Sequence, residues 1–439
     1  LAVVDMKKSG KTGVATDKNS AKYKMHMALG LMFLTVFIDL IGFGIIIPLL
    51  PLYAKQFGAS GLTVGLLLTS YSLMQFFFAP MWGRLSDRIG RRPVLLISLA
   101  TSAIGYTIWG FSNSLEMLFL SRIVAGFGNA NLAVAQAYIS DVTPEEYRAQ
   151  GMGMIGAAFG LGFVLGPAIA GIASHFGVQP NTLGFIAAFF SIADLIFTAF
   201  ALPEPPNRKD NAHNPFSLGI GYYMRTVTNR KFALSLFIIF VSTFAFANME
   251  TTLVLLTNKF YNFSMVQNSY LFTGLGLVMV VIQGGLIRQL GKKYPDAPLI
   301  SIGTALVAIG LLLVPATHSI VVLCIGLVIL ATGSGINNPS NSSLLSKLCP
   351  KDETGGVMGI GQSMSTLGRI LGPVAGGYLF DTMGAGSPYW LGAGCMAVAC
   401  ALSFRLPIIQ KPVPVAASPE VDAPVAERPL VPTVDAAAQ

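Results

Sequence analysis

Residues 83–93, G-R-L-S-D-R-I-G-R-R-P, constrain this chain more than any other stretch. They carry Arg84, Arg88, Arg91 and Arg92 with a single acid, Asp87. An apolar run at 62–82 precedes them and another at 94–111 follows. Each is close to the ~20 residues that a helix needs to cross a bilayer. A short, strongly basic loop between two spans is retained on the cytoplasmic side. Gly83 and Gly90 suit a tight reversal, because glycine adopts backbone angles closed to other residues. Pro93 suits the first turn of a new helix.

Most of the chain shares this character. Hydrophobic residues make up 53% of the 439 and charged residues 11%, against about 25% charged in soluble domains. Lipid is therefore the solvent for most of the chain, whose length accommodates twelve spans with short connections. The net charge of +8 is not a nucleic-acid footprint, because the basic residues sit at span ends and not on one soluble face. Cys324, Cys395 and Cys400 fall in apolar runs and Cys349 in a polar loop, at no disulfide or metal-binding spacing. No G-x-x-x-x-G-K-[ST] motif occurs, so ATP is not expected to drive the protein directly, and no cofactor is expected.

Spans are expected at 26–53, 62–82, 93–111, 115–139, 150–173 and 181–202, then at 232–257, 266–288, 298–315, 319–345, 355–380 and 388–405. Residues 1–25 are polar and lysine-rich, without the apolar core of a cleaved secretory signal, and are expected to form a mobile N-terminal tail. A polar linker at 203–231 separates two six-helix bundles, 26–202 and 232–405. The Pro-, Ala- and Val-rich tail at 406–439 is expected to be disordered. With the N-terminus inside, cytoplasmic segments hold 24 of the 28 Lys and Arg. Lys55 and Lys259 lie outside, and Arg122 and Arg369 lie within spans. That asymmetry places both termini in the cytoplasm. The halves also repeat: at a shift of 206, Gly166 and Pro167 fall on Gly372 and Pro373, Gly162 on Gly368, and Asn131 on Asn337.

Ionisable groups inside spans are costly and mark function by default. Asp39 lies ~20 Å along the first helix from its inner end, and Arg122 ~10 Å into the fourth from outside. In a ~30 Å core the two depths agree, so an Asp39–Arg122 pair facing a central cavity is expected. The alternative is a pair that only locks the first helix to the fourth. Burial and a neighbouring cation act on a carboxyl's titration in opposite directions, which would poise Asp39 for proton exchange. Glu250 is placed nearer the outer interface and Arg369 mid-membrane; each is either a cavity residue or a structural one. Asn129, Asn131, Gln136, Asn337, Asn338 and Asn341 would be wasted facing lipid and are expected to line the interior, or to bond across helices. Amides with Met and aromatic neighbours suit an amphipathic organic substrate.

The loop pattern G-x-x-x-D-R-x-G-R-R resembles the signature between the second and third helices of the major facilitator superfamily. The resemblance implies two parallel six-helix repeats around a substrate site near the midplane, an arrangement already known for that superfamily. It also implies that Gly83, Asp87, Arg88, Gly90, Arg91 and Arg92 form a conformational latch. Asp87 would face the N-terminus of the eleventh helix, near Thr354, while the cytoplasmic side is closed. The first helix, D-x-x-G-x-G-x-x-x-P-x-x-P from Asp39, is similar to that of the drug:proton antiporters. The fourth, with Arg122, is similar to their arginine motif. Gly162, Gly166, Pro167 and Gly171 resemble the antiporter motif of the fifth helix, with Ala170 in place of one glycine. Gly368, Gly372, Pro373, Gly376 and Gly377 repeat it complete in the eleventh. Such small residues also serve close helix packing alone. Asp194, on a helix that the family places at the periphery, is expected to be structural. Similarity to tetracycline-resistance pumps extends over most of 26–405, but the third and ninth spans here lack those pumps' aspartates.

These features imply a monomeric secondary transporter of the plasma (inner) membrane. It would export small amphipathic, drug-like compounds in exchange for protons, with the proton gradient as energy source. Its partners would be substrate, protons and the lipid bilayer, and not nucleic acid. The alternative is a proton-coupled importer of a small organic metabolite on the same fold. A membrane enzyme would need clustered catalytic groups, yet His26, His175, His213 and His318 are scattered. A sensor would need an output domain that no segment is long enough to form.

Overall fold

The computed structural model describes residues 9–129, 131–205, 220–349 and 354–408. Residues 206–219 of the expected linker, and nearly all of the C-terminal tail, lie outside the described residues. The described residues form helices α1 (Ser9–Ile46), α2 (Leu50–Gln56), α3 (Gly61–Ile89), α4 (Arg91–Gly110), α5 (Leu115–Gly128), α6 (Asn131–Val142), α7 (Glu145–His175) and α8 (Pro180–Ala201). After α9 (Ile220–Thr228) come α10 (Arg230–Tyr261), α11 (Met265–Val281), α12 (Ile287–Lys293), α13 (Asp296–Leu313), α14 (Ile320–Leu348), α15 (Thr354–Thr382) and α16 (Ser387–Ser403).

Among the described residues, ten helical segments are long and apolar enough to cross a membrane. Two further spans complete twelve. In α15, glycines, Arg369 and Asp381 dilute the apolar character, and α16 has only 17 residues. Both pack within the bundle, α15 between α10 and α3 and α16 between α10 and α13. Three expected spans are interrupted. The first stops at Ile46 and resumes at Leu50, around Pro48, which cannot supply a backbone donor. The fourth breaks after Asn129 into α5 and α6. In the eighth, a π-helical stretch at Ile282–Leu286 containing Gly284 and Gly285 joins α11 to α12; such bulges recur at functional sites. At the N-terminus, α1 begins at Ser9 rather than near residue 26, because no proline interrupts the lysine-rich stretch before Met25–Ile46, the apolar part.

The packing repeats between the halves. Within the first, α1 packs on α7 and α8, and α4 on α5 and α8; within the second, α10 packs on α15 and α16, and α13 on α14 and α16. Without a hydrophobic drive between helices in lipid, close backbone approach supplies much of the cohesion. A Cβ on Gly166 would lie 2.6 Å from Gly44, and one on Gly162 would lie 2.5 Å from Leu40 Cβ. Their repeat partners behave alike: a Cβ on Gly368 would lie 2.8 Å from Phe244 N, and one on Gly372 would lie 2.6 Å from Phe244 O. The glycine motifs thus hold α7 to α1 and α15 to α10. Only Gly171 and Gly377 approach the other half, Gly171 beside Tyr270 and Gly377 against Gly61.

We call the end of the bundle that carries residues 83–93 the basic face. At the opposite face the halves are joined along two seams, α3 with α15 and α7 with α11. Asp381, at the end of α15, accepts from Gly61 N at 2.9 Å and Leu62 N at 2.8 Å, capping the start of α3. Below it, Gly65 abuts the Pro373 carbonyl, and Thr69 Oγ1 donates to Ile370 O at 2.8 Å. Leu49 and Leu50 bury fully in one apolar cluster with residues 253–256 of α10. Toward the basic face the seams part. Phe77 and Met81 of α3 are exposed, and a Cβ on Gly153, Gly156, Gly284, Gly285 or Gly359 would meet nothing within 4 Å.

Candidate functional site

Where the seams part, a cavity of about 380 Å³ lies between the halves, within the range of small-molecule sites. Its wall is largely apolar, with Phe43, Phe159, Phe163, Phe246, Met279 and Met358. Arg122, Glu250, Gln283, Asn338, Asn341 and Arg369 supply the polar contacts. Leu345, near the end of α14, and Met358, one turn into α15, carry the wall almost to the basic face. The π-helical stretch contributes Gln283, which a regular helix would rotate elsewhere.

Asp39 and Arg122 do not form the expected ion pair. Asp39, 7% exposed, lies beside Asn131 of α6 and is not part of the cavity wall. Asn131 is also buried, and the two are not aligned as a formed hydrogen bond, so both amide atoms of Asn131 lack a partner. Arg122, 2% exposed, stacks instead on the third span, its guanidinium carbon 5.1 Å from the Trp109 ring centroid and 5.8 Å from that of Tyr106. Its Nη2 donates to Ser121 Oγ at 3.1 Å, while Nε has no partner. An aromatic face holds a desolvated cation without neutralising it, so Arg122 keeps its charge available to the cavity.

Glu250 lines the cavity, within electrostatic reach of Arg369; on α10 it lies nearer the end opposite the basic face than the basic-face end. Tyr71, unrecognised in the sequence, lines the same wall within reach of Asp39, Arg122 and Arg369. Nothing local marks Tyr71: only the crossing of α3 over α5 brings it there.

The amides divide. Asn338 and Asn341 line the cavity, although Asn341 also accepts from Ser235 Oγ and donates to Ser235 O at 3.2 Å. Asn129 ties helices together, accepting from Gln75 Nε2 at 2.8 Å and donating to Tyr71 Oη at 2.5 Å. Asn337 donates to Ser242 Oγ at 2.8 Å between α14 and α10. Gln136 is half-buried outside the wall.

The basic loop is bound into the first half. Gly90, with φ of 114°, turns the chain from α3 into α4 as only glycine does without strain. Arg91 joins Asp87 at 2.6 Å, Asp141 of α6 at 2.8 Å and Ser86 Oγ at 2.6 Å. The Glu204 carboxylate accepts from Arg91 N at 2.6 Å and Arg92 N at 2.9 Å, capping α4, and the Arg92 guanidinium donates to Ala199 O. Asp87 stays 57% exposed, Arg88 is exposed, and a Cβ on Gly83 would meet nothing. Glu204 and Asp141 were not anticipated, since each is a lone acid whose partner is distant in sequence.

Comparison with known proteins agrees with this architecture. The family model described as "Major Facilitator Superfamily" matches residues 32–355 and 287–436. A mouse protein, "Major facilitator superfamily domain-containing protein 10", is 29% identical over 431 residues, covering 86% of this chain and 91% of its own. "Tetracycline resistance protein, class D" of Salmonella ordonez is 31% identical over 386 residues, covering 87% and 96%. The crystal structure of "the human organic anion transporter MFSD10 (TETRAN)" superposes with a TM-score of 0.67 at 26% identity, covering 86% of this chain and 99% of that one.

Proposed function

Because the chain belongs to the major facilitator superfamily, we propose that it is a secondary transporter that exports amphipathic organic compounds in exchange for protons. The proposal includes its orientation, with the basic face and both termini in the cytoplasm of a plasma membrane. The observation that carries the reading is the cavity, sealed at the opposite face and extending to the basic face. Its long apolar wall suits a hydrophobic body, and its few charged groups suit a polar end. In this orientation it receives compounds from the cytoplasm or the inner leaflet. The similarity to tetracycline-resistance proteins and the antiporter-like sequence of the first, fourth and fifth helices support export.

Coupling follows from competition at an acid. Asp39 and Glu250 are the titratable acids nearest the cavity arginines. A cationic or strongly hydrogen-bonding substrate competes with a proton at Glu250 in the wall and acts on Asp39, behind the wall, through the cavity's charges; linkage makes the effect reciprocal. Substrate binding then releases a proton, and external acid expels substrate.

A second reading has its own observation. Arg122 and Arg369 both line the cavity, and a relative's solved structure is named as an organic anion transporter. An anion binding the arginines would favour neutralised, protonated acids beside it, so anion and proton would travel together. Proteoliposomes with an imposed pH gradient separate the two readings. The probes are ethidium, a cation, tetracycline, a zwitterion, and anilinonaphthalene sulfonate, an anion. Antiport accumulates a probe in the acidic compartment and symport in the alkaline one, both relative to protein-free vesicles. Accumulation on the alkaline side alone would replace the export reading with the second, and no gradient-dependent movement of any probe would remove both.

A further inference from the structure

The first half buries an acid that the cavity does not use. Asp194, on α8, is 0% exposed and lies against α1, not at a lipid-facing periphery. Its contacts are hydroxyls. Thr198 Oγ1 donates to Asp194 Oδ1 at 3.3 Å, Thr35 Oγ1 of α1 lies 3.1 Å from Thr198 Oγ1, and Thr35 also approaches the carboxyl. Asp194 Oδ2 and the neighbouring Ser191 Oγ are both buried without a partner. A permanently ionised carboxylate in hydrocarbon, with no cation and an unsatisfied oxygen, is very costly. A proton on the group removes the charge and gives it a donor.

The hydrogen-bond directions are informative. While Asp194 is ionised it can only accept, so the Thr198 proton points at it and, in the 3.1 Å contact, Thr35 donates to Thr198. The lone pairs of Thr35 are then left to accept. Thr35 sits one helical turn before Asp39 on the same face of α1, a rise of ~6 Å, a step that a single water molecule would bridge. Asp194 lies seven residues from the basic-face end of α8 at Ala201, ~10 Å in, whereas Asp39 lies ~20 Å from that end. The row therefore runs from Asp39 toward the basic face, and none of Thr35, Asp194 and Thr198 borders the cavity.

We propose that Asp194 is a second proton-carrying residue, and that protons leave Asp39 toward the basic face through Thr35 and Thr198, by a route separate from the substrate cavity. The inference rests on the proton-coupled reading above. In the step, Asp39 gives its proton to the bridging water. The water passes one to Thr35, Thr35 passes its own to Thr198, and Thr198 passes its own to Asp194. Each hydroxyl loses one O–H bond and gains another, so the net change is one proton moved between carboxyls. Few charges bear on the site: Asp39 faces it from α1, and α8 carries no other titratable group. On α7 none occurs between Arg148 and His175. On α4, the cation Arg92 reaches Ala199 O, further toward the basic face.

The test uses full-length protein in lipid, with Asp194→Asn, Asp194→Glu and Thr198→Val. An infrared pH titration, which needs no substrate, should show a buried carboxylic acid band that exchanges its proton and disappears in Asp194→Asn. That variant should also change the pH at which the remaining acid band titrates. With the probe that the wild type moves, Asp194→Asn should lose gradient-driven accumulation while exchange of probe across the membrane persists. Asp194→Glu should restore accumulation, and Thr198→Val should slow it without altering exchange. Accumulation by Asp194→Asn at the wild-type level would overturn the inference. So would a proportional loss of accumulation and exchange that Asp194→Glu does not rescue, since that is a structural role. If the wild type moves no probe, the transport reading fails and the infrared arm still decides: an Asp194 that never exchanges its proton overturns the inference.

Discussion

Arg122 shows how one residue's role turns on its neighbours. Its depth in the fourth span matches that of Asp39, yet Trp109 and Tyr106 hold its guanidinium and Asn131 stands by the acid. A desolvated cation on an aromatic face gains ~2 kcal/mol or more, and only the planar guanidinium can also stack. Arg122→Lys should keep the charge and part of the transport, whereas Arg122→Ala should abolish it, measured as probe accumulation at matched protein content. Equal activity of both variants would remove the charge from the mechanism. Asp39→Asn keeps size and hydrogen bonding but cannot titrate. It should reach the membrane in normal amounts, retain exchange and lose accumulation against a gradient. Undiminished accumulation would move the search to Glu250.

Among the elements, α3 and α15 form a seam between the halves that alternating access would have to open and close. They run antiparallel, and each carries an acid in its last turn, Asp87 in α3 and Asp381 in α15. At the opposite face Asp381 caps α3 with two hydrogen bonds. At the basic face Asp87 binds Arg91 and remains largely exposed. An acid at a helix N-terminus stabilises by ~0.3–1 kcal/mol, so Asp381→Asn should shift the balance toward opening at that face by about two- to fivefold. Gly65→Leu should shift it further, because no side chain fits against the Pro373 carbonyl. Spin-label distances between the ends of α3 and α15 report both changes; unaltered distances in Gly65→Leu would show that this seam is not the gate. Asp87→Asn should act in the other sense, favouring the form seen here, in which the basic face is open.

At the scale of the whole molecule, two bundles meet at one face and part at the other, and function depends on which face is which. Lys55 at the opposite face and Lys292 at the basic face are both exposed. In a variant without the four native cysteines, Lys55→Cys should react with an impermeant thiol reagent in intact cells, and Lys292→Cys only after permeabilisation. The reverse pattern would invert the orientation and the direction of export with it. Ser86, though central in the basic loop, is unsuitable for this test: it is 2% exposed and engaged by Arg91.

The amino-acid sequence alone determined the spans, their pairing into two repeats and the basic loop. Each depends on local quantities: run length, charge at helix ends, and small residues at a fixed spacing. The glycines lie at close helix contacts, as their spacing implied, because only residues without side chains allow backbones to meet. Tertiary structure decided what lies opposite what. It turned Arg122 onto two rings, brought Glu250 and Arg369 to one wall, left Asn129 and Asn337 as ties between helices, and buried Asp194 against Thr35. A helical sequence specifies which residues share a face. Which neighbour that face meets, and at what rotation, depends on how all twelve helices fill space together.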